Sequence, residues 1–150
     1  MKFNRRGIML VLSSPSGAGK TSIAKRLLEK DDNLCLSISC TTRKKRSSES
    51  TGRDYEFISK TDFQNMINQQ LFLEWAKVFD NYYGTPKKKI EQMLIKGKDI
   101  IFDIDWQGTQ QLADSAREDL VSVFILPPSK VELSKRLRSR AQDPVKEVNK

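Results

Sequence analysis

The stretch that decides the fold is Ser14-Pro15-Ser16-Gly17-Ala18-Gly19-Lys20-Thr21. It directly follows an uninterrupted apolar run, Ile8 to Leu12, which is typical of a strand buried on both faces. The residues after it, Ser22 to Leu28, have the apolar spacing of an amphipathic helix. A strand, a glycine-bearing loop and a helix in this order match the P-loop pattern G-x-x-x-x-G-K-[ST], with Ser14 in place of the first glycine.

A P-loop binds the phosphates of a nucleoside triphosphate. Glycines let the backbone curl so that N–H groups point at phosphate oxygens, and the following helix adds the positive end of its dipole. Lys20 is expected to reach the β- and γ-phosphates, and the Thr21 hydroxyl to ligate Mg²⁺. The predicted triphosphate-binding residues are Ser14, Pro15, Ser16, Gly17, Ala18, Gly19, Lys20, Thr21 and Ser22. GTPases, ATPase motors, nucleotide kinases and RNA-dependent NTPases all use this loop, so it does not choose among them.

The rest of the chain alternates short apolar runs with helix-like segments, which favours an α/β fold on a parallel sheet. The further predicted core strands are Leu34–Ser39, Ile100–Asp105 and Val121–Leu126. Ser129-Lys130-Val131-Glu132 has the pattern of a capping box that opens a basic helix.

The segment between residues 43 and 90 has a different composition. Residues 47–53 are polar and contain a glycine, so we expect a loop there. Ser59 is predicted to cap one helix, and Thr85, before Pro86, is predicted to cap another. We interpret this segment as an insertion in the α/β core and not as a separate domain.

The composition limits the chemistry. The 150 residues contain no histidine, which excludes Ser-His-Asp and Cys-His nucleophile systems and histidine-ligated metal sites. The two cysteines, Cys35 and Cys40, are too few for a disulfide framework and indicate free thiols in a reducing compartment. The apolar run near the N-terminus is too short for a secretory signal, and no stretch approaches the roughly 20 apolar residues of a membrane span. We therefore expect a cytoplasmic protein with no membrane partner.

The net charge of +8 arises from 27 lysines and arginines against 19 acidic residues. The basic residues cluster at positions 43–46, 87–89 and 135–140. Such runs are most often solvated surface, but several together also suit a polyphosphate or a nucleic acid. A nucleic-acid-binding P-loop NTPase is therefore an alternative. No RNA-stacking motif is visible, however, so no nucleic-acid partner is expected.

Two further features point to a second substrate. The run Ser39-Cys40-Thr41-Thr42-Arg43-Lys44-Lys45-Arg46 leaves a predicted strand with hydroxyls and two arginines three residues apart. Each guanidinium fork can bind a phosphate in a bidentate way. Glu74 is a lone carboxylate in an otherwise apolar string, and such a residue is more often paired structurally than functional.

The motifs occur in the order seen in guanylate kinases, which the sequence resembles from residue 7 to about 141. They are the P-loop, Ser39–Arg46, Gly52–Phe57, Phe72–Ala76, Asn81–Thr85, Asp103–Gly108 and Phe124–Ser129. The resemblance implies a P-loop nucleotide-kinase fold, with a parallel sheet and helices on both faces. It implies a single domain with its core at 1–38 and 98–130, a GMP-binding insertion at about 39–97, and the start of a lid at about 131–150. Members of the family continue further, so the C-terminal part is expected to be missing.

The resemblance also implies MgATP-dependent phosphorylation of GMP or dGMP. The GMP phosphate would be held by Ser39, Arg43, Arg46, Tyr55 and Tyr83, and the guanine edge would be bound by Glu74 and Thr85, with Asp105 nearby. The catalytic residues would be Lys20, Arg43, Arg136 and Arg140, and the metal-binding residues Thr21 and, through water, Asp103, with Asp105 equally open. The acceptor phosphate is already an anion, so no general base is needed in this chain without histidine.

A non-catalytic binding module on the same fold is the second alternative. Such a protein would be expected to lose the phosphate loop or the GMP-clamping residues. Lys20, Thr21, Arg43, Arg46 and Glu74 are all present, which favours the enzyme. The sequence predicts no oligomeric state.

Overall fold

A computed structural model describes residues 5–139, in which eight strands form two sheets. The core strands are Met9–Ser13 (β1), Leu34–Leu36 (β2), Asp99–Phe102 (β7) and Leu120–Phe124 (β8). The second sheet contains Cys40–Thr41 (β3), Glu56–Phe57 (β4), Phe72–Val78 (β5) and Asn81–Pro86 (β6). The helices are Lys20–Lys30 (α1), Lys60–Asn68 (α2), Lys87–Ile95 (α3), Trp106–Ser115 (α4) and Lys130–Ser139 (α5), and a 3₁₀ turn spans Arg117–Asp119.

The core sheet is parallel, in the order β2-β7-β1-β8, which confirms the predicted fold class. Helices α3 and α4 cover one face, where Ile90, Leu94 and Leu112 pack against Met9 and Phe102. Helix α1 covers the other face through side chains including Ala24, Leu27 and Leu28. Burial of β1 on both faces explains why its sequence is an unbroken apolar run.

The predicted core strands exist, but each is shorter than or shifted from its sequence pattern. The strand predicted over Leu34–Ser39 ends at Leu36, because the chain then leaves the core sheet for the second sheet at Cys40. The strand predicted over Ile100–Asp105 ends at Phe102, which leaves Asp103 and Asp105 beyond the carboxyl end of β7. This position at the strand end is what brings both carboxylates to the candidate site.

The second sheet, in the order β4-β3-β6-β5, was not predicted as a set of strands. Its main part is the antiparallel hairpin of β5 and β6, and β3 pairs with β6. Gly84 is required in this hairpin, because a Cβ there would lie 2.9 Å from Trp75 Cβ and 3.0 Å from the Phe63 and Phe72 rings. Helix α2 packs on the same residues, with the Phe63 and Phe72 ring centroids 4.4 Å apart.

The predicted helix caps were correct at two of three positions. The Ser59 hydroxyl accepts from Asp62 N at 3.0 Å, and the Ser129 hydroxyl accepts from Glu132 N at 3.1 Å. The prediction that Thr85 caps the third helix was wrong, since Thr85 lies within β6 and Pro86 occupies the cap position of α3. The Thr85 hydroxyl donates instead to a buried carboxylate described below.

Within residues 5–139, the helices are all too short or too polar to cross a lipid bilayer.

Candidate active site

The phosphate loop has the predicted strand-loop-helix form. β1 ends at Ser13 and α1 begins at Lys20. Gly17 and Gly19 have φ of 83° and 106°, in the left-handed region that favours glycine. Ser14, which replaces the usual first glycine, has no positive φ, and its hydroxyl donates to the Pro15 carbonyl at 3.0 Å. The loop therefore needs glycine where the sequence has it and does not need one at position 14.

A cavity of about 560 Å³ opens over this loop. Its lining includes seven of the nine predicted triphosphate-binding residues: Ser14, Pro15, Ser16, Gly17, Gly19, Lys20 and Thr21. Of the other two, Ala18 is buried beneath the loop and Ser22 is exposed on α1. A concave site formed by a glycine-bearing loop at a helix start is suited to phosphates.

Helix α5 packs against the phosphate loop. A Cβ at Gly17 would lie 3.0 to 3.2 Å from the side chains of Leu133 and Leu137. Arg136 of the same helix donates to the Ala18 carbonyl at 3.4 Å and to Glu132 at 2.9 Å. Arg136 is thus already held at the loop, whereas Arg140, its predicted partner in catalysis, lies outside the described residues.

The two aspartates after β7 have different partners. Asp103 forms an ion pair with Lys20 of the phosphate loop. Asp105 caps α4, since its Oδ1 accepts from Gly108 N at 2.9 Å. The structure therefore gives Asp105 a structural task and leaves Asp103 as the carboxylate next to the loop lysine.

Thr21 and Asp103 offer the hydroxyl and carboxylate oxygens that Mg²⁺ prefers. Within residues 5–139, three or more acidic or cysteine side chains nowhere come together as a ready metal cage.

A second cavity, of about 240 Å³, adjoins the first. Its lining is Ser39, Tyr55, Glu74, Ala76, Val78, Tyr83, Asp103, Ile104 and Asp105. Ile104 and Asp105 line both cavities, so the two spaces meet at the carboxyl end of β7. Five of the eight residues predicted for the second substrate are in this lining: Ser39, Tyr55, Glu74, Tyr83 and Asp105.

Two residues that line the second cavity, Glu74 and Ser39, are joined by Thr85, which is fully buried and is not itself in the lining. Glu74 on β5 is paired with Thr85 on β6 and is only 4% exposed. The Thr85 hydroxyl donates to Glu74 Oε1 at 2.6 Å, and the Ser39 hydroxyl lies 3.1 Å from Thr85 Oγ1. Because the single Thr85 proton is given to the carboxylate, Ser39 is the donor to Thr85.

The pKa of Glu74 is raised above its ordinary value. Burial is the main cause, and the negative charge of Asp105 adds to it, while the hydrogen bond from Thr85 acts in the opposite direction. A carboxylate held in such a site has unused acceptor capacity, which a ligand with adjacent N–H donors could satisfy.

Arg43 and Arg46 do not line the second cavity, but Arg43 packs on Tyr55, which does. The Arg43 guanidinium lies 5.5 Å from the Tyr55 ring centroid and 5.9 Å from that of Phe57. The Tyr55 and Tyr83 rings meet edge to face at 6.0 Å, which links Tyr55 to β6. Arg46 is exposed, at the start of the polar loop.

Glu49 is a site residue that the sequence reasoning missed. Its Oε1 accepts from Arg43 Nη2 at 2.6 Å, and its Oε2 accepts from Arg46 N at 2.8 Å. These contacts lower the pKa of Glu49, with the Arg43 hydrogen bond as the main cause. The signal available in the sequence was an acidic residue three positions after Arg46 in a basic run.

Several known proteins are similar to this chain in sequence and in structure. The family model for guanylate kinase matches residues 6–150. A guanylate kinase from Paramagnetospirillum magneticum is 56% identical over 98% of this chain and 69% of its own length. One from Rhodopseudomonas palustris is 58% identical over 93% of this chain and 64% of its own length. The crystal structure of guanylate kinase from Anaplasma phagocytophilum superimposes with a TM-score of 0.72 at 39% identity, covering 96% of this chain and 71% of that one.

The chain belongs to the guanylate kinase family. Membership confirms the resemblance to guanylate kinases from which the second substrate was predicted. The chain spans about two thirds of the length of the curated guanylate kinases that it matches. The domain boundaries predicted above stay predictions, as do the individual residue roles.

Proposed function

We propose that the protein transfers the γ-phosphoryl group of ATP to GMP or dGMP. The observation that carries this proposal is the junction of the two cavities at Ile104 and Asp105. One cavity has a phosphate loop, and the other has a buried carboxylate, Glu74, and a tyrosine, Tyr55, on which Arg43 packs. Two such sites that share a wall suit a reaction between two nucleotides, each bound in its own cavity.

The second cavity would bind the phosphoryl acceptor and is called the acceptor cavity from here on. Glu74 and Thr85 are proposed to recognise guanine there. A carboxylate can accept from both guanine N1–H and the exocyclic amine. Those two donors would replace the Thr85 proton at Glu74, and the freed Thr85 hydroxyl would then donate to guanine O6. Adenine would leave these groups unpaired, and sites of this kind can discriminate by about 10⁴ to 10⁵.

The phosphate of the acceptor is proposed to bind next to Arg43 and Arg46, at the Tyr55 side of the acceptor cavity. Arg43 and Arg46 would supply guanidinium donors, and the Tyr55 and Tyr83 hydroxyls would add neutral ones. Ser39, which in the unliganded protein donates to Thr85, lies at the base end of the same cavity. Glu49 would hold Arg43 in place by keeping the guanidinium oriented before the phosphate arrives.

The chemistry is proposed to be in-line transfer to a phosphate oxygen, which requires positioning and charge neutralisation and no general base. Lys20, Arg43 and Arg136 would neutralise the transferring group, together with Arg140 outside the described residues. Thr21 and, through a water, Asp103 would hold Mg²⁺, which would supply positive charge to neutralise the ATP phosphates. The free thiols of Cys35 and Cys40 support a cytoplasmic location.

A coupled assay of ADP and GDP formation from ATP and GMP, with AMP as the control acceptor, tests this proposal. GDP formation with GMP and none with AMP is expected, and a folded protein that forms no GDP would contradict it. A Glu74→Gln variant is expected to lose at least about 10²-fold in kcat/KM for GMP, since one acceptor becomes a donor facing the guanine N–H groups. Its ATP binding should be unchanged, and an equal loss for both nucleotides would contradict the role of Glu74 in reading guanine.

A further inference from the structure

Gly108 lies directly behind the buried carboxylate of the acceptor cavity. It is in the first turn of α4, and its N–H donates to the Asp105 cap. A Cβ at this position would lie 2.6 Å from Glu74 Oε2 and 3.3 Å from Glu74 Cδ. The missing side chain of Gly108 therefore provides the space that the Glu74 carboxylate occupies.

Neither backbone conformation nor helix stability explains a glycine here. Gly108 is helical and has no positive φ, so any residue can adopt its backbone angles. Glycine is among the poorest helix formers and alanine is the best, so helix stability alone favours alanine at this position. What remains is the contact with Glu74, together with a looser one of 3.2 Å to Ile104 Cδ1.

Other glycines of the chain are enclosed by different kinds of atoms. A Cβ at Gly7 would lie 1.8 Å from the Lys98 carbonyl oxygen, and one at Gly84 would meet Trp75 Cβ and two rings. Those contacts involve the backbone or packed core, which cannot move cheaply. At Gly108 the obstructing atom is the end of a flexible side chain, so the fold would tolerate a methyl group by displacing the carboxylate.

We propose that Gly108 is a specificity-determining positioning residue, whose lack of a side chain lets Glu74 face the base of the acceptor nucleotide. Gly108 touches no substrate itself and acts through Glu74. This inference rests on the proposed function, because it assumes that the Glu74 carboxylate reads guanine. Helix α4 would thus fix the position of the Glu74 carboxylate, which lies between Thr85 on one side and Gly108 on the other.

A Gly108→Ala variant tests the inference through nucleotide binding measured by calorimetry. We expect the Kd for GMP to rise at least about 10-fold, because loss of a hydrogen bond to a charged group costs about that much, and the Kd for ATP to change by less than about twofold. IMP lacks the exocyclic amine and loses fewer contacts, so the preference for GMP over IMP should shrink. The matched control is Gln110→Ala, an exposed position of the same helix, with GMP affinity unchanged.

A second measurement needs no ligand and covers the case in which the single variant folds poorly. We expect Gly108→Ala to raise the melting temperature in a Glu74→Ala background, where no carboxylate obstructs the methyl group. In the unsubstituted background the same change should raise it less or lower it. Equal shifts in both backgrounds would overturn the inference, as would GMP affinity unchanged by Gly108→Ala.

The two proposals fail in distinguishable ways. If the unsubstituted protein binds no GMP, the proposed function is wrong, while the stability coupling between Gly108 and Glu74 still decides whether the two residues share one space. If the unsubstituted protein binds GMP and Gly108→Ala weakens GMP and ATP equally, the proposed function stands and the positioning role of Gly108 is overturned.

Discussion

The phosphate loop and the acceptor cavity are built in opposite ways. The loop is one continuous run of eight residues with two left-handed glycines, and its expected donors are largely backbone N–H groups. The acceptor cavity collects side chains from positions 39 to 105, carried by both sheets and by the loops between them. A site of backbone donors tolerates changes in most side chains, whereas a site of side chains depends on the packing behind each one.

The difference predicts where function is fragile. In the loop, the charged side chain is Lys20, which forms an ion pair with Asp103 at the end of β7. In the acceptor cavity, the functional atoms are held by residues that would touch no substrate, such as Glu49 behind Arg43. We therefore expect the function of the loop to depend mainly on one side chain. The function of the acceptor cavity should be lost in smaller steps, through substitutions at many positions.

The largest effect is expected for Lys20→Ala. Loss of the cation that neutralises the transferring phosphate should lower kcat by about 10³-fold, comparable to other single charged donors in phosphoryl and acyl transfer. Steady-state kinetics with ATP and GMP measure this, and Lys25→Ala on the exposed side of α1 is the control. A kcat within tenfold of the unsubstituted protein would mean that the loop backbone alone supports transfer.

The contrast between the regions also decided what the sequence could predict. The loop is local, so its strand, its glycines and its helix start were all predictable from adjacent residues. The hairpin of β5 and β6 was missed, because its turn has no Asn-Gly or Asp-Gly signal. Its turn residue Phe79 instead adopts φ 54° with its side chain 87% exposed, a conformation that sequence rules do not assign to phenylalanine.

Within the acceptor cavity, the type of residue was more predictable than its partner. The resemblance selected Glu74 and Thr85, but no pattern indicated that Thr85 donates to Glu74 and receives from Ser39. The register of two strands brings these groups together over distances of 11 and 46 residues along the chain. Long-range register depends on packing of the whole hairpin, which local propensities do not contain.

The next largest effect is the pH dependence of GMP affinity. Glu74 must be ionised to accept two N–H groups, so the Kd for GMP should rise as pH falls through its raised pKa, by up to tenfold per pH unit. Calorimetry across this range measures it, and Glu74→Gln is the control, since it shares the titration of the GMP phosphate. Parallel pH profiles in the two proteins would show that Glu74 does not titrate in the binding step.

The stability of the unliganded protein should respond to the same proton with the opposite sign. Because the pKa of Glu74 is raised from 4.5 by folding, the folded state binds the proton more tightly than the unfolded state. The resulting stability is fully present below pH 4.5 and is lost as pH rises through the folded-state pKa. Denaturant unfolding of the native and Glu74→Gln proteins isolates this contribution as their difference.

A smaller effect is expected for Glu49→Gln. The neutral amide keeps the size of the side chain but weakens its hold on Arg43 and on Arg46 N, so the acceptor phosphate would meet a less ordered guanidinium. The KM for GMP should rise by roughly threefold to tenfold with little change in the KM for ATP. Ser47→Ala in the same exposed loop is the control, and a changed KM for ATP would contradict a role confined to binding of the acceptor.

The smallest effect is expected for Ser14→Gly, which restores the usual first glycine of the loop. Ser14 has no positive φ, so glycine relieves no strain there, and the Kd for ATP should change by less than about twofold. Glycine enlarges the freedom of the unfolded chain, so the free energy of unfolding should fall by about 0.4 to 1 kcal/mol. Calorimetry and urea unfolding measure the two quantities. A marked gain in ATP affinity would mean that Ser14 strains the loop, and the loop would then depend on that side chain as the acceptor cavity depends on its own.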